Sequence, residues 1–255
     1  MKPFADYHTH TVYSHGTGTV EDNVIAAIEA GLEEVAITDH GPANIFSIGM
    51  RGLGAFEAIR RDVEACRARY PHIKVLLGVE ANIVGLDGSL DVPDAILEGL
   101  DKVLAGHHLL VRGKTPGDAW GIVGRNVVIR LCPRRLQHLC ADLPRRARIA
   151  NTDALVRAVT ARRIDIVTHP GLEVSIDTRE LARACVQMGT ALEINAKHAG
   201  ESLDFVRVAA GEGAKFVLSS DAHRPEDVGR LGPALEIARC AGLGPDMILN
   251  VRNVM

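Results

Sequence analysis

Seven short apolar runs constrain this chain more than any other feature. They are PFADYH, EEVAITD, IKVLLGVEA, DKVLAGH, IDIVTHP, TALEIN and KFVLSSD, spread over residues 3–221. Several are almost continuously apolar rather than alternating, as expected of parallel strands covered on both faces. The stretches between them have helical periodicity. In TVEDNVIAAIEAGL, Val24, Ala27, Ile28 and Gly31 form one stripe, with Gly31 placed to end the helix. LVRAVTARR, RELARACVQMG, ESLDFVRVAAGEG and PALEIARCAGLG read the same way. Alternation of strand and helix predicts an α/β fold with right-handed crossovers. Seven strands in one continuous pattern suggest a barrel-like closure, with a doubly wound open sheet as the rival. A length of 255 residues suits a single α/β barrel domain.

One segment interrupts the rhythm. Residues 112–152 form a long connection after DKVLAGHH, and its stretch GRNVVIRLCPRRLQHLCADLPRRARIA holds seven arginines against Asp142 alone. We read it as an insertion, either a solvated or oligomer-facing segment of a homo-oligomer or a lid that attracts anionic substrates.

The bulk composition excludes several classes. The net charge is −3, not the basic balance of a nucleic-acid binder. The five cysteines, Cys66, Cys132, Cys140, Cys185 and Cys240, form no C-x-x-C pair, which suits reduced thiols. There is no long apolar segment near the N-terminus and no run of about 18 apolar residues, so a cytoplasmic protein without a membrane span is expected.

The chemistry gathers where the runs end. The first ends in His8 and His10, with His15 following; the second in Asp39 and His40; the third in Glu80. The fourth ends in His107 and His108, the fifth in His169, the sixth in Asn195 followed by Lys197 and His198, and the seventh in Asp221 and His223. Loops at the C-terminal face of an α/β barrel converge on one mouth. Side chains two apart on a strand share a face, so His8 and His10 can grip one ion while His15 reaches a second. Buried imidazoles and carboxylates are costly unless bonded to something, so a metal site explains the pattern better than packing. His72 and His138 lie away from any strand end and read as ordinary packed or surface residues. Imidazole with carboxylate suits zinc foremost, with manganese or iron as alternatives. Nine ligands exceed the four that one ion takes, implying two or three. Clustered ions clamp a phosphoryl group and generate hydroxide at neutral pH.

The pieces DYHTHTVYSHG, AITDHGP, GVEANIVGLDG, VLAGHH, VTHPG, ALEIN and SSDAH, in this order from residue 6 to residue 223, resemble the PHP (polymerase and histidinol phosphatase) family of metal-dependent phosphoesterases, with the YcdX-type bacterial phosphatases as the most similar branch. The resemblance implies a distorted (β/α)7 barrel, similar to a TIM barrel, with a trinuclear site at the C-terminal face of the strands. It implies that His8, His10, Glu80 and Asp221 hold one metal. Glu80 bridges to a second completed by His108 and His169, and His15, His40 and His223 hold the third. It also places the ligand of strand four at His108, leaving His107 to packing or to the support of a ligand. The implied activity is hydrolysis of a small phosphomonoester by a metal-bridging hydroxide. Glu80, Asp221 and His223 are the candidate catalytic residues, and Lys197, His198 and Arg224 the candidates for substrate binding, against a solvated-surface reading of Lys197 and Arg224. Asp39 reads either as a partner of a ligand histidine or as a helix cap in DHGP. The alternatives are a phosphodiesterase or nuclease, a histidinol phosphatase, an amidohydrolase acting on C–N bonds, and a non-catalytic polymerase-type module. The amidohydrolases usually carry a carboxylated lysine at a middle strand end, where this chain has Glu80 and His108, and the non-catalytic modules often lose ligands.

Overall fold

The computed structural model describes residues 1–46, 48–133, 141–201 and 203–253; Arg134, Arg135, His138 and Cys140 lie outside them. The strands are β1 (Lys2–Pro3), β2 (Ala5–Asp6), β3 (Glu34–Ile37), β4 (Lys74–Asn82), β5 (Lys102–Gly106), β6 (Ile166–Val167), β7 (Ala191–Asn195), β8 (Phe216–Ser219) and β9 (Val251–Arg252). The seven from β2 to β8 form one sheet in sequence order, and each strand pairs with the next in parallel. Strands β1 and β9 form a separate antiparallel pair, which the apolar pattern does not announce.

The helices are α1 (Val20–Glu29), α2 (Ala55–Arg69), the single turns α3 (Asp94–Leu97) and α4 (Pro116–Asp118), α5 (Arg125–Leu131), α6 (Leu143–Ala161), α7 (Thr178–Met188), α8 (Leu203–Gly211) and α9 (Gly232–Cys240). Thr19 and Asp22 form a capping box at the start of α1, worth about 1 kcal/mol, and Gly31 follows the helix at φ +71°. Helix α2 was not among the stretches named above, yet Phe56, Ile59, Val63 and Cys66 give it a buried stripe at helical spacing. Helix α6 begins at Leu143, so residues 143–152, read above as part of an insertion, belong to the crossover helix between β5 and β6. Its Ala147, Ala154, Leu155 and Ala158 are buried, while Arg145, Arg146 and Arg148 are exposed.

The sheet is nearly closed into a barrel. Two buried layers follow from the pleat. Ala36, Leu76, Leu104, Ile166, Ala191 and Val217 fill the inside, together with Ala5 and Tyr7. Val75, Leu77, Val79, Val103, Leu192 and Leu218 face the helices. The seam between β2 and β8 has no regular ladder. At the mouth Thr9 bridges Ala222, with His10 N–H donating to Ala222 O at 2.8 Å. Lower down, side chains close it. Buried Asn250 donates through Nδ2 to Ala5 O and Leu218 O, both at 2.7 Å, and accepts from Leu218 N–H at 2.9 Å. Buried Asp6 accepts from the backbone N–H groups of Ser220 (3.2 Å) and Gly229 (2.9 Å) and from the Ser220 hydroxyl.

Among the described residues, no helix is long and apolar enough to cross a membrane.

Candidate metal centre

Inner parity carries the chemistry upward. Along β4, Leu76, Gly78, Glu80 and Asn82 share one face, and along β5 and its continuation Leu104, Gly106 and His108 do. Gly106 is required by crowding there, since a Cβ would lie 2.3 Å from Thr168 Oγ1. Glu80 therefore stands buried at the centre of the mouth. Its Oε1 lies 3.2 Å from His108 Nε2 and 3.0 Å from His169 Nε2. Its Oε2 lies 2.8 Å from His40 Nδ1, 3.2 Å from His8 Nε2 and 3.7 Å from His10 Nε2. Asp221 Oδ1 is 3.4 Å from both His10 Nε2 and His223 Nδ1.

His15 sits at the rim on a loop folded tightly over the first strand. Gly16 permits that fold, because a Cβ there would be 2.6 Å from the His10 carbonyl. The His15 ring centroid is 4.2 Å from that of His223 and 4.9 Å from that of His40. The nine expected ligands thus form one contiguous cluster. Three triplets in it have ligand atoms within 4.8 Å of one another: His8, His10 and Glu80; His40, Glu80 and His108; and His10, His40 and His223. In these triplets His40 and His10 stand where the family pattern would put His169 and His15.

Two residues enter the mouth through unusual backbone. His169 has φ +27° and Asp221 has φ +53°. Ile166 already occupies the inner parity of its strand, so an extended chain would turn His169 outward, and the positive φ brings it in. Such conformations cost about 1–3 kcal/mol for non-glycine residues and persist where the surroundings impose them.

The buried polar atoms of the cluster fit a cation. His8 Nε2, both nitrogens of His10 and of His108, His40 Nδ1 and Glu80 Oε2 are buried without a hydrogen-bond partner. His40 approaches Glu80 closely but without hydrogen-bond geometry. Each orphaned atom costs about 1–3 kcal/mol unless a ligand satisfies it. The charge states agree. Burial pushes His10 well below its usual range and His40 and His223 down to about 4, so all three are neutral donors. Burial opposes ionisation of Glu80 and Asp221, but the surrounding imidazoles, His8 first, outweigh it and hold both carboxyls well below the carboxylate range. Burial also acts against His8 and His169, yet the carboxylates raise both, His169 to about 9. Protons on these two rings stand where a metal cation would balance the same carboxylates.

Glu193 is a functional candidate that sequence reasoning missed. It is buried on β7, its Oε1 2.6 Å from His8 Nδ1, while its Oε2 accepts from His169 N–H at 2.6 Å and from Asn195 Nδ2 at 3.1 Å. A carboxylate behind a ligand imidazole fixes its tautomer and orientation. The signal was present in TALEIN, where Glu193 and Asn195 alternate with Leu192 and Ile194. Asn195 also donates to Asp221 Oδ2 at 3.2 Å.

The other residues singled out in the sequence occupy varied positions. Asp39 neither supports a ligand histidine nor caps a helix. It accepts from Thr11 N–H and Thr11 Oγ1, both at 2.7 Å, and from the Ser14 hydroxyl, and so buckles the loop that carries His15. His107 points away from the mouth, its Nε2 2.9 Å from Asn151 O on α6. His72 is exposed. Lys197 faces the mouth, its Nζ 3.2 Å from His223 Nδ1 and 3.7 Å from Asp221 Oδ2, and His198 Nε2 is 3.9 Å from the same oxygen. Arg224, expected at the substrate, is instead turned onto Asp227, with Nε at 2.9 Å. Its guanidinium finds a carboxylate three residues on and does not line the mouth, a cavity of about 180 Å3.

The model of the PHP domain family matches residues 6–136. The chain is 30% identical over 260 residues to a probable phosphatase of Thermoanaerobacter sp. (strain X514), covering 98% of this chain and 91% of that protein. It is 31% identical to a probable phosphatase of Syntrophotalea carbinolica, covering 98% and 92%. Its fold is similar to that of histidinol phosphate phosphatase from Lactococcus lactis, solved with zinc, L-histidinol and phosphate, with a TM-score of 0.64, 16% identity, and 96% and 95% of the two chains covered. With these strands, this order of histidine- and carboxylate-bearing strand ends and this match, the chain belongs to the PHP domain family.

Proposed function

We propose that this chain hydrolyses a small phosphomonoester at a trinuclear metal centre. The coarser reading, a metal-dependent phosphoric ester hydrolase, follows from its family and from the probable phosphatases it matches over nearly its whole length. The observation that carries the finer one is the set of orphaned, buried nitrogens and oxygen converging around Glu80. His8, His10, Glu80 and Asp221 would hold one divalent ion; Glu80, His108 and His169 a second; His15, His40 and His223 a third. The imidazole-rich donors suit zinc, manganese or iron, and the fold neighbour from Lactococcus lactis was solved with zinc and phosphate. When bound, such ions acidify water and neutralise a phosphoryl group in transfer.

The chain's own residues do the remaining work. Glu80 offers one oxygen to each side of the cluster, which suits a bridge. Asp221 turns Oδ1 toward His10 and His223 and Oδ2 toward Lys197 and His198, so it joins the ion side to the substrate side. Its Oδ2 is placed to accept a proton from the attacking water. Lys197 and His198 can bind phosphoryl oxygens and steady the departing alkoxide. A mouth of about 180 Å3 favours a monoester, whose phosphoryl group must seat only one organic substituent.

The test is hydrolysis of p-nitrophenyl phosphate and of its bis ester by protein stripped with chelator and reloaded with zinc, manganese or iron. Metal-dependent turnover that favours the monoester is expected. Preference for the bis ester would make the chain a phosphodiesterase, and no turnover of either would overturn the hydrolase reading.

A further inference from the structure

A second, larger cavity of about 540 Å3 opens beside the candidate centre. It shares Lys197, Asp221 and His223 with the mouth, so the two adjoin at those residues. Its far wall is the loop from β8 to α9, with Asp227 and Arg230, and the start of α9, with Gly232 and Pro233. The size falls within the range of small-molecule sites, and the exposed wall is largely carbon.

Charge at this wall is uneven. Apart from the candidate ligands Asp221 and His223, the charged groups lining the cavity are Lys197, Arg230 and Asp227. Asp227 is already shared: it accepts from Arg230 Nη1 at 3.0 Å and from Arg224 Nε at 2.9 Å. Glu226 also acts on Arg224, so the loop is close to neutral, but Arg230 engages Asp227 through Nη1 alone and keeps its other guanidinium donors available. The loop is also anchored. Gly229 N–H donates to buried Asp6 at 2.9 Å, Leu231 N–H to Gly229 O at 2.8 Å, and Val228 and Leu231 are buried on either side. The Arg230 side chain, about two-thirds exposed, therefore projects from a fixed backbone.

Resting on the phosphoesterase reading above, we propose that this cavity receives the leaving group of the substrate, and that Arg230 selects leaving groups that carry an anionic substituent on an otherwise apolar body. With the phosphoryl group at the mouth, the ester oxygen lies near Lys197, and the organic portion continues along the carbon-rich wall to the guanidinium. A carboxylate or a second phosphate there gains a charge-assisted hydrogen bond, for which arginine has the right planar donors. A cationic leaving group would meet Arg230 and Lys197 and be disfavoured. Nothing lies within 4 Å of where a Cβ on Gly232 would sit, so the near end of α9 leaves the space open.

A matched pair of esters, phenyl phosphate and 4-carboxyphenyl phosphate, tests this. They differ only in a carboxylate on the leaving group. In the metal-loaded protein kcat/KM should favour the carboxylated ester by about tenfold, the effect of one charge-assisted bond. In Arg230→Ala the ratio should fall to near one, and in Arg230→Glu it should invert. Gly232→Leu should raise KM for both esters. Equal kcat/KM for the two in the unmodified protein, a preference that survives in Arg230→Ala, or an unchanged KM in Gly232→Leu would overturn the assignment of the cavity while the phosphoesterase reading stood. No turnover of either ester would overturn both.

Discussion

Glu193→Gln is the sharpest probe of how the cluster is held. The side chain keeps its size but loses one acceptor. In the native protein both carboxylate oxygens are in use: Oε1 faces His8 Nδ1 at 2.6 Å, and Oε2 accepts from His169 N–H at 2.6 Å and Asn195 Nδ2 at 3.1 Å. An amide has a single oxygen, so either orientation sets its NH2 against donors. Toward His8, it forces Nδ1 to accept and moves the ring proton to Nε2, the nitrogen facing Glu80. Toward His169, it opposes a backbone N–H at a residue already held at φ +27°. One charge-assisted bond is lost and a buried donor left unsatisfied, together about 3 kcal/mol. The part that falls on the ligands should lower metal affinity about 10–100-fold, the usual effect of losing such a support. Competition against a chromophoric chelator measures it, with the thermal midpoint of the metal-free protein followed in parallel. A midpoint that drops while metal affinity stays within twofold would refute the reasoning and leave Glu193 a packing residue.

Three further outcomes are expected. Elemental analysis of protein purified without chelator should find close to three first-row metal ions per chain, and Glu80→Gln should lose both metal and turnover; a content of one or fewer would sink the trinuclear reading. His108→Ala should lose one ion and most activity, while His107→Ala, which removes a contact to α6, should keep the metals and lose at most part of the activity; paired metal and activity measurements showing the reverse would exchange their roles. Asn250→Ala removes three buried hydrogen bonds across the β2–β8 seam, so it should cost about 3 kcal/mol and lower the thermal midpoint by about 10 °C; a loss under about 1 kcal/mol in urea unfolding would show that the seam is closed by other contacts.

Much of the centre was legible because its residues sit at one kind of place. A parallel strand buried on both faces reads as an apolar run, and whatever polar residue ends it stands out. His8, His10, His40, Glu80, His108, His169 and Asp221 are visible for that reason. The choice between His107 and His108 needed more. Both follow an apolar strand, and only the seating of Leu104 inside the barrel shows that His108 shares its face and His107 does not. In the segment of residues 112–152, arginine content hid that its end, with Ala147, Asn151 and Thr152 buried, continues into the helical stretch that starts at Leu155, so that both belong to one crossover helix.

The sequence by itself determined the alternation of strand and helix, the parallel sheet, and the gathering of metal-type ligands at one end of it. These depend on local hydrophobic period and on the identity of residues a few positions apart. Only the tertiary structure decided which polar groups meet. Glu193 reaches His8 across 185 positions, Asp6 and Asn250 close a seam between the first and last strands of the barrel, and Asp39 holds the loop of His15. Arg224 turns onto Asp227 although its position beside His223 suggested the substrate. A side-chain hydrogen bond needs its partners within about 3 Å, and strand order, pleat and backbone angle set that distance. None of these has a period or a local composition, so a buried carboxylate such as Glu193 shows its purpose only when the barrel brings its partners alongside.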